Sequence, residues 1–114
     1  MEQFNNQPHV TVLIPAHNEE SQIEETLQSL GDQSQPADRI IVIADNCTDD
    51  TTQKSKNFSN VEVFTTVGNT KKKAGALNQW LDSNLDQMSD DDLIMVMDAD
   101  STLDREFLSN ATSY

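Results

Sequence analysis

The chain has 114 residues and a formal net charge of −13, which results from twenty acidic and seven basic side chains. This length provides for one domain with a single modest core. The acidic balance disfavours binding to nucleic acids or to anionic membranes, because proteins that bind either of these present a basic face. The single cysteine, Cys47, excludes an internal disulfide, and no signal peptide or membrane-spanning run is found in the sequence. We therefore expect a cytoplasmic protein.

The first third of the chain predicts one buried strand and one helix. Residues 10–14 (VTVLI) form a β-branched apolar run, which is typical of a strand with both faces covered in a parallel sheet. An apolar stripe at spacings of three and four predicts a helix over about residues 19–30. Ser21 and Glu24 form a candidate capping box at its start, and Gly31 is expected to cap its end.

The middle of the chain predicts two further strands with a short helix between them. Residues 39–44 (RIIVIA) predict a second buried strand. Thr48 offers a capping hydroxyl ahead of acidic residues, so we expect a short helix from there to about residue 57. Residues 61–65 (VEVFT) alternate in hydrophobicity, which predicts a half-covered strand near an edge of the sheet.

The last third predicts a helix, the most apolar strand of the chain and a final helix. Residues 93–97 (LIMVM) are apolar throughout and predict a strand that is buried on both faces. The stripe that predicts the preceding helix consists of Ala74, Leu77, Leu81 and Leu85. The stripe that indicates the final helix consists of Leu103, Phe107 and Leu108.

Four strands, each followed by a helix, predict an α/β fold. Right-handed crossovers give a Rossmann-like, mostly parallel sheet with the strand order 3-2-1-4 and helices on both faces. We expect a flexible N-terminus at residues 1–9 and a single domain over residues 10–114. The apolar strand at residues 93–97 would then lie at an edge of the sheet, so we expect a second copy or another chain to cover it.

Acidic and polar residues follow three of the predicted strands, at the edge of a parallel sheet where ligands bind. Asp98 and Asp100 follow the fourth strand, and two carboxylates at this spacing suit Mg²⁺ or Mn²⁺. Capping of the following helix is the alternative role for this pair. Asp45 directly follows the second strand, where a base or ribose would be held, and a helix cap is the alternative there.

The loop after the first strand and the one basic cluster complete the candidate site. His17 and Glu19 are candidates for contacting a base, whereas an exposed histidine beside a helix start is the alternative. Lys71, Lys72 and Lys73 precede a helix, whose N-terminal end favours anions, so we expect an anion such as a diphosphate beside Lys73. A solvated basic turn is the alternative.

Four segments in this order, VTVLIPAHNEE, RIIVIADNCTDDT, GNTKKKAGALN and LIMVMDAD, closely resemble the N-terminal half of the family 2 glycosyltransferases. The resemblance covers about residues 10–110 and rests on four motifs with matching spacing. It implies the GT-A fold and an inverting transfer of a sugar from a nucleotide-sugar to a saccharide or lipid acceptor. The most similar branch is that of the membrane-linked polysaccharide synthases, which use UDP-sugars.

By this resemblance each candidate residue receives a role. Lys73 and Gly75 would lie along the nucleotide-sugar, and Asp98 would face the ribose and the sugar. Asp100, with Asp98 beside it, would bind the Mn²⁺ or Mg²⁺ that bridges the diphosphate and stabilises the departing UDP. The residues that would contact the uracil and the ribose are Pro15, His17, Glu19 and Asp45.

The resemblance leaves the catalytic base unassigned. Family members carry that carboxylate and the acceptor-binding half well after the Asp-x-Asp motif, whereas this chain ends at Tyr114. We therefore expect the chain to be the nucleotide-sugar-binding portion of a truncated enzyme, inactive alone, which could belong at the cytoplasmic face of a membrane as part of a longer protein. A non-catalytic nucleotide-binding or interaction module is the alternative. A response-regulator receiver is disfavoured, because His17 and Asn18 stand where it would carry paired acids.

Overall fold

The computed structural model describes residues 9–84, 86, 88, 92–102 and 106–111. Residues 110 and 111 are described by their backbone alone. The described residues form a parallel sheet with the order β3-β2-β1-β4, which confirms the predicted fold class and strand order. Residues 1–8 and the stripe residues Leu85 and Leu103 lie outside the described residues. The strands are β1 (Val10–Ala16), β2 (Arg39–Ala44), β3 (Val61–Thr65) and β4 (Leu93–Val96). The helices are α1 (Ile23–Gly31), α2 (Thr51–Lys56), α3 (Lys72–Asn84) and α4 (Phe107–Ala111).

Strand β1 runs two residues further than predicted, through Pro15 to Ala16. It pairs with β2 as far as Ala16 but with β4 only as far as Leu13. The N–H of Met97 donates to the Leu13 carbonyl at 3.0 Å. Because alternate residues of a strand bond to the same neighbour, Pro15 faces the side on which β4 has already ended. Its missing N–H therefore breaks no hydrogen bond of the sheet.

Alternate side chains of β1 enter two separate apolar cores, one on each face of the sheet. The core on one face packs Val12 and Ile14 against Ile23, Leu27 and Leu30 of α1 and Leu108 of α4. The core on the other face packs Leu13, Ile41 and Ile43 against Ala76 and Trp80 of α3. The predicted arrangement of helices on both faces is confirmed, and the buried Leu108 confirms the final helix.

Helix α1 begins and ends differently from its predicted pattern. The N–H groups of residues 22 and 23 both bond to the Glu19 carbonyl, so turns precede the helix and α1 starts at Ile23. Its N-terminus has no side-chain cap, so the predicted capping box of Ser21 and Glu24 is wrong. Gly31 is the last helical residue and not the cap, because Asp32 occupies the C-cap position.

Helix α2 also begins later than predicted, at Thr51 instead of Thr48. The N–H of Thr48 donates to Oδ1 of Asn18 at 2.7 Å. This bond ties the chain ahead of α2 to the loop after β1, so the predicted Thr48 cap is wrong.

The buried face of helix α3 overlaps the predicted stripe only in part. Ala74, which opens the predicted stripe, is exposed, whereas Ala76 and Trp80, four residues apart, are buried in the core. Leu77 and Leu81 pack at the margin of that core. The large indole of Trp80 removes more apolar surface from water than a leucine does, which favours this orientation. None of the helices in the described ranges has the length and hydropathy needed to cross a lipid bilayer.

Strand β4 occupies the predicted edge, but the prediction that both of its faces are buried is wrong. Leu93, Ile94 and Val96 are 41%, 36% and 49% exposed. Within the described part of the chain, β4 pairs with β1 alone, so part of its apolar surface meets water. Met97, directly after the strand, is buried and returns the chain to the core. The exposed surface is the one that the predicted second copy or partner chain would cover.

Substitution of Leu13 and of Leu93 by alanine is expected to have very different effects on stability. Leu13 is fully buried, so Leu13→Ala should lower the free energy of unfolding by about 2–5 kcal/mol. Leu93→Ala removes the same atoms from an exposed position and should cost less than about 1 kcal/mol. Urea denaturation followed by circular dichroism measures both. A loss at Leu93 as large as that at Leu13 would contradict the exposed edge.

Candidate functional site

A cavity of about 690 Å³ opens at the carboxyl edge of the sheet. It is bordered by the residues that follow β1, β2 and β4 and by the loop between β3 and α3. The structure brings together at this cavity every candidate site residue except Lys71 and Gly75. The lining residues are Pro15, Ala16, His17, Glu19, Asp45, Asn46, Asn69, Thr70, Lys72, Lys73, Asp98, Ala99 and Asp100.

Asp45 is the charged residue most deeply buried in this cavity, with 6% of its surface exposed. Its Oδ1 accepts hydrogen bonds from Oγ1 of Thr66 and Nδ2 of Asn69, both at 2.8 Å. These bonds offset the cost of removing a carboxylate from water. Among the described residues no hydrogen bond reaches Oδ2. That oxygen can therefore accept a hydrogen bond from a ligand.

His17 is exposed, but its ring is held in place by the residue that directly follows β2. Nδ1 lies 2.8 Å from the backbone carbonyl oxygen of Asp45. Because a carbonyl oxygen only accepts, Nδ1 carries the hydrogen, and Nε2 of the neutral ring is an acceptor. Glu19 is fixed through its backbone, since its N–H donates to Oγ1 of Thr51 at 2.8 Å. The loop after β1 is thus attached both to the end of β2 and to the start of α2.

Sharp turns and hydrogen bonds hold the loops after β1 and β2 together. Asn18 and Asn46 both have a φ of 52°, a left-handed conformation that asparagine tolerates better than most residues. Asp49 accepts from the N–H groups of Thr51 at 3.0 Å and Glu20 at 3.2 Å. Desolvation raises the pKa of Asp49, but the bonds from Thr51 and Glu20 outweigh it and hold that pKa below its usual value.

The basic residues reach the cavity from the first turn of α3. Lys72 and Lys73 line it, and Nζ of Lys73 forms an ion pair with Oδ1 of Asp98. Both side chains of the pair are about half exposed, at 55% and 57%, so solvent screens their attraction. An anion was predicted beside Lys73, and among the described residues the carboxylate of Asp98 takes that place.

Gly75 lies beside the cavity wall and does not line the cavity. It is buried, and a Cβ added to it would lie 2.0 Å from Oδ1 of Asn69 and 2.9 Å from Cβ of Lys71. Its physical role is therefore clearance, because the loop before α3 packs directly against the helix at this position. Its predicted contact with a nucleotide-sugar stays a prediction.

The Asp98-Ala99-Asp100 segment is held by one backbone hydrogen bond and by one bond from a side-chain hydroxyl. The N–H of Ser101 donates to the Asp98 carbonyl at 3.2 Å. Oγ1 of Thr26, a buried side chain of α1, donates to the Ala99 carbonyl at 2.6 Å. Ala99 is buried, whereas Asp98 and Asp100 are exposed at the cavity. The segment therefore presents both carboxylates from a fixed backbone.

The donor set at Asp98 and Asp100 fits a divalent cation such as Mn²⁺ or Mg²⁺. Carboxylate oxygens are the hard ligands that these ions prefer. Within the described ranges, Asp100 makes no hydrogen bond or ion pair, so its oxygens are available. No cluster of three or more His, Cys, Asp or Glu side chains suited to a metal occurs among the residues described. A cation here would therefore take its other ligands from water or from phosphate oxygens.

Thr26, Thr66 and Asn69 contribute to the site but were not predicted from the sequence. Thr66 directly follows β3, so the rule that ligands bind at the carboxyl edge of a parallel sheet could have found it. Asn69 reads in the sequence as half of a Gly-Asn turn, and Thr26 as part of an ordinary helix. Nothing local distinguishes either residue, because their partners lie 24 and 73 positions away along the chain.

The fold and the cavity define an α/β domain with an open cavity at the carboxyl edge of a parallel sheet, beside an Asp-x-Asp segment. The family model for glycosyl transferase family 2 matches residues 11–114. The chain belongs to this family, which confirms the resemblance found in the sequence and the predicted GT-A fold.

Individual relatives agree with the family. The chain is 38% identical over 109 residues to the probable glycosyltransferase YdaM of Bacillus subtilis (strain 168), a match that covers 89% of the chain and 25% of YdaM. The crystal structure of S. aureus TarS 1–349 matches with a TM-score of 0.75 and 25% identity, over 90% of this chain and 30% of that one. TarS structures in complex with UDP and with UDP-GlcNAc also match.

A third relative was solved with a donor and a metal ion. The mannosyltransferase PcManGT from Pyrobaculum calidifontis, in complex with GDP-Man and Mn²⁺, matches with a TM-score of 0.72 and 27% identity. The match covers 92% of this chain and 31% of PcManGT. The chain thus spans about a quarter to a third of the length of these relatives.

Removal of the Thr26 hydroxyl should destabilise the Asp-x-Asp segment, because that hydroxyl binds the Ala99 carbonyl on the α1 side of the segment. Thr26→Val keeps the shape but leaves the buried Ala99 carbonyl without its partner, which should cost about 1–3 kcal/mol of unfolding free energy. Thr26→Ser keeps the hydroxyl and should restore most of the loss. Thr52→Val, at a position in α2 that does not line the cavity, is the matched control. Equal stability of Thr26→Val and the control would contradict the anchor.

Proposed function

We propose that this chain is the nucleotide-sugar-binding portion of an inverting glycosyltransferase that uses a UDP-sugar and transfers the sugar to a saccharide or lipid hydroxyl. The observation that carries the proposal is one cavity in which a buried carboxylate, Asp45, shares the lining with Lys73, Asp98 and Asp100. Family membership and relatives solved with UDP, UDP-GlcNAc, GDP-Man and Mn²⁺ support it.

Asp45 lies at one end of the cavity, and Lys73, Asp98 and Asp100 lie at the other. The distance between these two ends suits a nucleoside diphosphate. Asp45 follows β2 and Asp98 follows β4, and these strands flank β1. Neighbouring strands lie about 4.8 Å apart, so the two ends of the site are roughly 10 Å apart. This is comparable to the span from the base to the diphosphate of an extended nucleotide.

Asp45 and the loop after β1 form the base-binding end of the proposed site. The available Oδ2 of Asp45 suits a base edge that carries an N–H group, and uracil has one at N3. Pro15, His17 and Glu19 border the same end, where Nε2 of His17 is an acceptor. Guanine also carries N–H groups, so GDP is the competing ligand in a binding test.

Lys73, Asp98 and Asp100 form the diphosphate end. Asp100 and Asp98 would hold Mn²⁺ or Mg²⁺, which when bound would supply positive charge to the diphosphate of the leaving group. Lys73 would exchange its ion pair with Asp98 for a phosphate oxygen and add a second positive charge at that point. An inverting transfer also needs a base for the acceptor hydroxyl, and we assign that role to none of the described residues.

Calorimetry with UDP tests the metal and nucleotide assignments together. UDP should bind the chain more tightly with Mn²⁺ than without it, and more tightly than GDP does. Asp100→Ala should lower the affinity for UDP in the presence of Mn²⁺ at least about tenfold, since even residues that only hydrogen-bond to a metal ligand contribute that much. Asp82→Ala, an exposed aspartate of α3 outside the cavity, is the matched control. If Asp100→Ala binds UDP and Mn²⁺ as tightly as the control, the metal assignment is wrong.

A further inference from the structure

Asn69 is a buried residue of the cavity, and both N–H groups of its side-chain amide donate hydrogen bonds. It is 8% exposed. Its Nδ2 donates to Oδ1 of Asp45 and to the Lys72 carbonyl, both at 2.8 Å. Its Oδ1 accepts from the N–H of Lys71 at 3.0 Å, and its own carbonyl accepts from Nδ2 of Asn46 at 2.9 Å. One side chain thus touches the base-binding carboxylate and the backbone of the basic segment.

The chain around Asn69 is shaped to hold that side chain. Gly75 supplies the space, because a Cβ there would lie 2.0 Å from Oδ1 of Asn69. Lys72, whose carbonyl Asn69 binds, has a φ of 55°, which is uncommon for a residue other than glycine. Aspartate would lack the two N–H donors and place a second carboxylate against Asp45, and a hydrophobic residue would satisfy none of these groups.

We propose that Asn69 is a positioning residue that fixes the Asp45 carboxylate and the start of α3 relative to each other. Asp45 then offers Oδ2 to the base while Lys73 stands over the diphosphate, so the two ends of one nucleotide are recognised together. The inference rests on the proposed function, because it takes the ligand of this cavity to be a nucleoside diphosphate. Asn69 acts through Asp45 and the lysine segment without itself contacting the reacting atoms.

Titrations with uridine and with UDP plus Mn²⁺ separate the two ends of the site. Asp45→Asn should weaken the binding of uridine and of UDP by similar factors, because both ligands carry the base. Lys73→Met should weaken the binding of UDP alone. Asn69→Ala should weaken the binding of uridine, and that of UDP by a larger factor of about 10- to 100-fold, because it removes a bond to the Asp45 carboxylate and also releases the lysine segment. Asn57→Ala, at the exposed end of α2, is the matched control and should match the unsubstituted chain.

Gly75→Ala tests the same inference without changing any residue that lines the cavity. Alanine stabilises a helix relative to glycine, so a loss of uridine and UDP affinity here would come from displacement of the two residues that the added Cβ meets, Asn69 most closely and then Lys71. Gly31→Ala, at a helical glycine with no atom within 4 Å of the added Cβ, is the control and should bind normally. In the Asn69→Ala background, Gly75→Ala should cause less further loss than it does alone, because the two changes act on one contact.

The outcomes distinguish the inference from the proposed function. No binding of UDP by the unsubstituted chain, with or without Mn²⁺, would overturn the proposed function. If that chain binds UDP but folded Asn69→Ala has dissociation constants within twofold of it for both ligands, the positioning role is wrong. A fall in binding stoichiometry at unchanged affinity would also overturn it, because that result indicates partial unfolding. If Asn69→Ala does not fold, the test rests on Gly75→Ala. In that case, affinities for uridine and UDP equal to those of Gly31→Ala would show that the positioning role of Asn69 is wrong.

Discussion

The parallel pairing of β1 with both β2 and β4 is the constraint on which the site depends. The register places Ala16 beside Ala44 and Leu13 beside Val96, so the residues that follow all three strands leave the sheet at one edge. Backbone bonds continue this pairing, from the N–H of Asp45 to the Ala16 carbonyl and from that of Met97 to the Leu13 carbonyl. Because β2 and β4 lie on opposite sides of β1, their loops diverge and leave the cavity between them.

A buried carboxylate in this cavity organises the loops around it. Removing Asp45 from water is costly, and donors from the β3–α3 segment, Thr66 and Asn69, offset that cost through one of its oxygens. The backbone carbonyl of the same residue holds the His17 ring. Loops that follow three different strands are therefore joined at Asp45, and its second oxygen is left for a ligand.

The charge distribution of the chain is consistent with a site for an anionic ligand and a cation. With a net charge of −13, the chain as a whole repels phosphates, yet its lysine cluster opens α3 beside the Asp-x-Asp segment. Lys73 and Asp98 neutralise each other across the cavity, and Asp100 has no partner among the described residues. A diphosphate with a divalent cation would match both the lysine and the carboxylates, which is why we propose this pair of ligands.

Sequence patterns predicted strands better than helix ends in this chain. The bounds of β2 and β3 were predicted correctly, because β-branched runs bounded by polar residues leave few other structures open. The start of α2 was predicted three residues too early, at Thr48. The N–H of Thr48 instead bonds to Asn18, which lies 30 positions away and which no local pattern connects with it. The orientation of α3 was predicted only in part, since the sequence stripe included the exposed Ala74 and left out Trp80, whereas packing against Leu13 and Ile41 buries the indole.

The sequence by itself determined the α/β fold, the strand order and the family, and it identified most of the residues that line the cavity. Local periodicity and the right-handed crossover rule are sufficient for the fold, and residues that directly follow strands must meet at one edge. The tertiary structure alone decided that Asp45 is held through one oxygen, that Lys73 pairs with Asp98, and that Gly75 makes room for Asn69. Those contacts join residues distant in the chain, and their geometry depends on packing that no local pattern encodes.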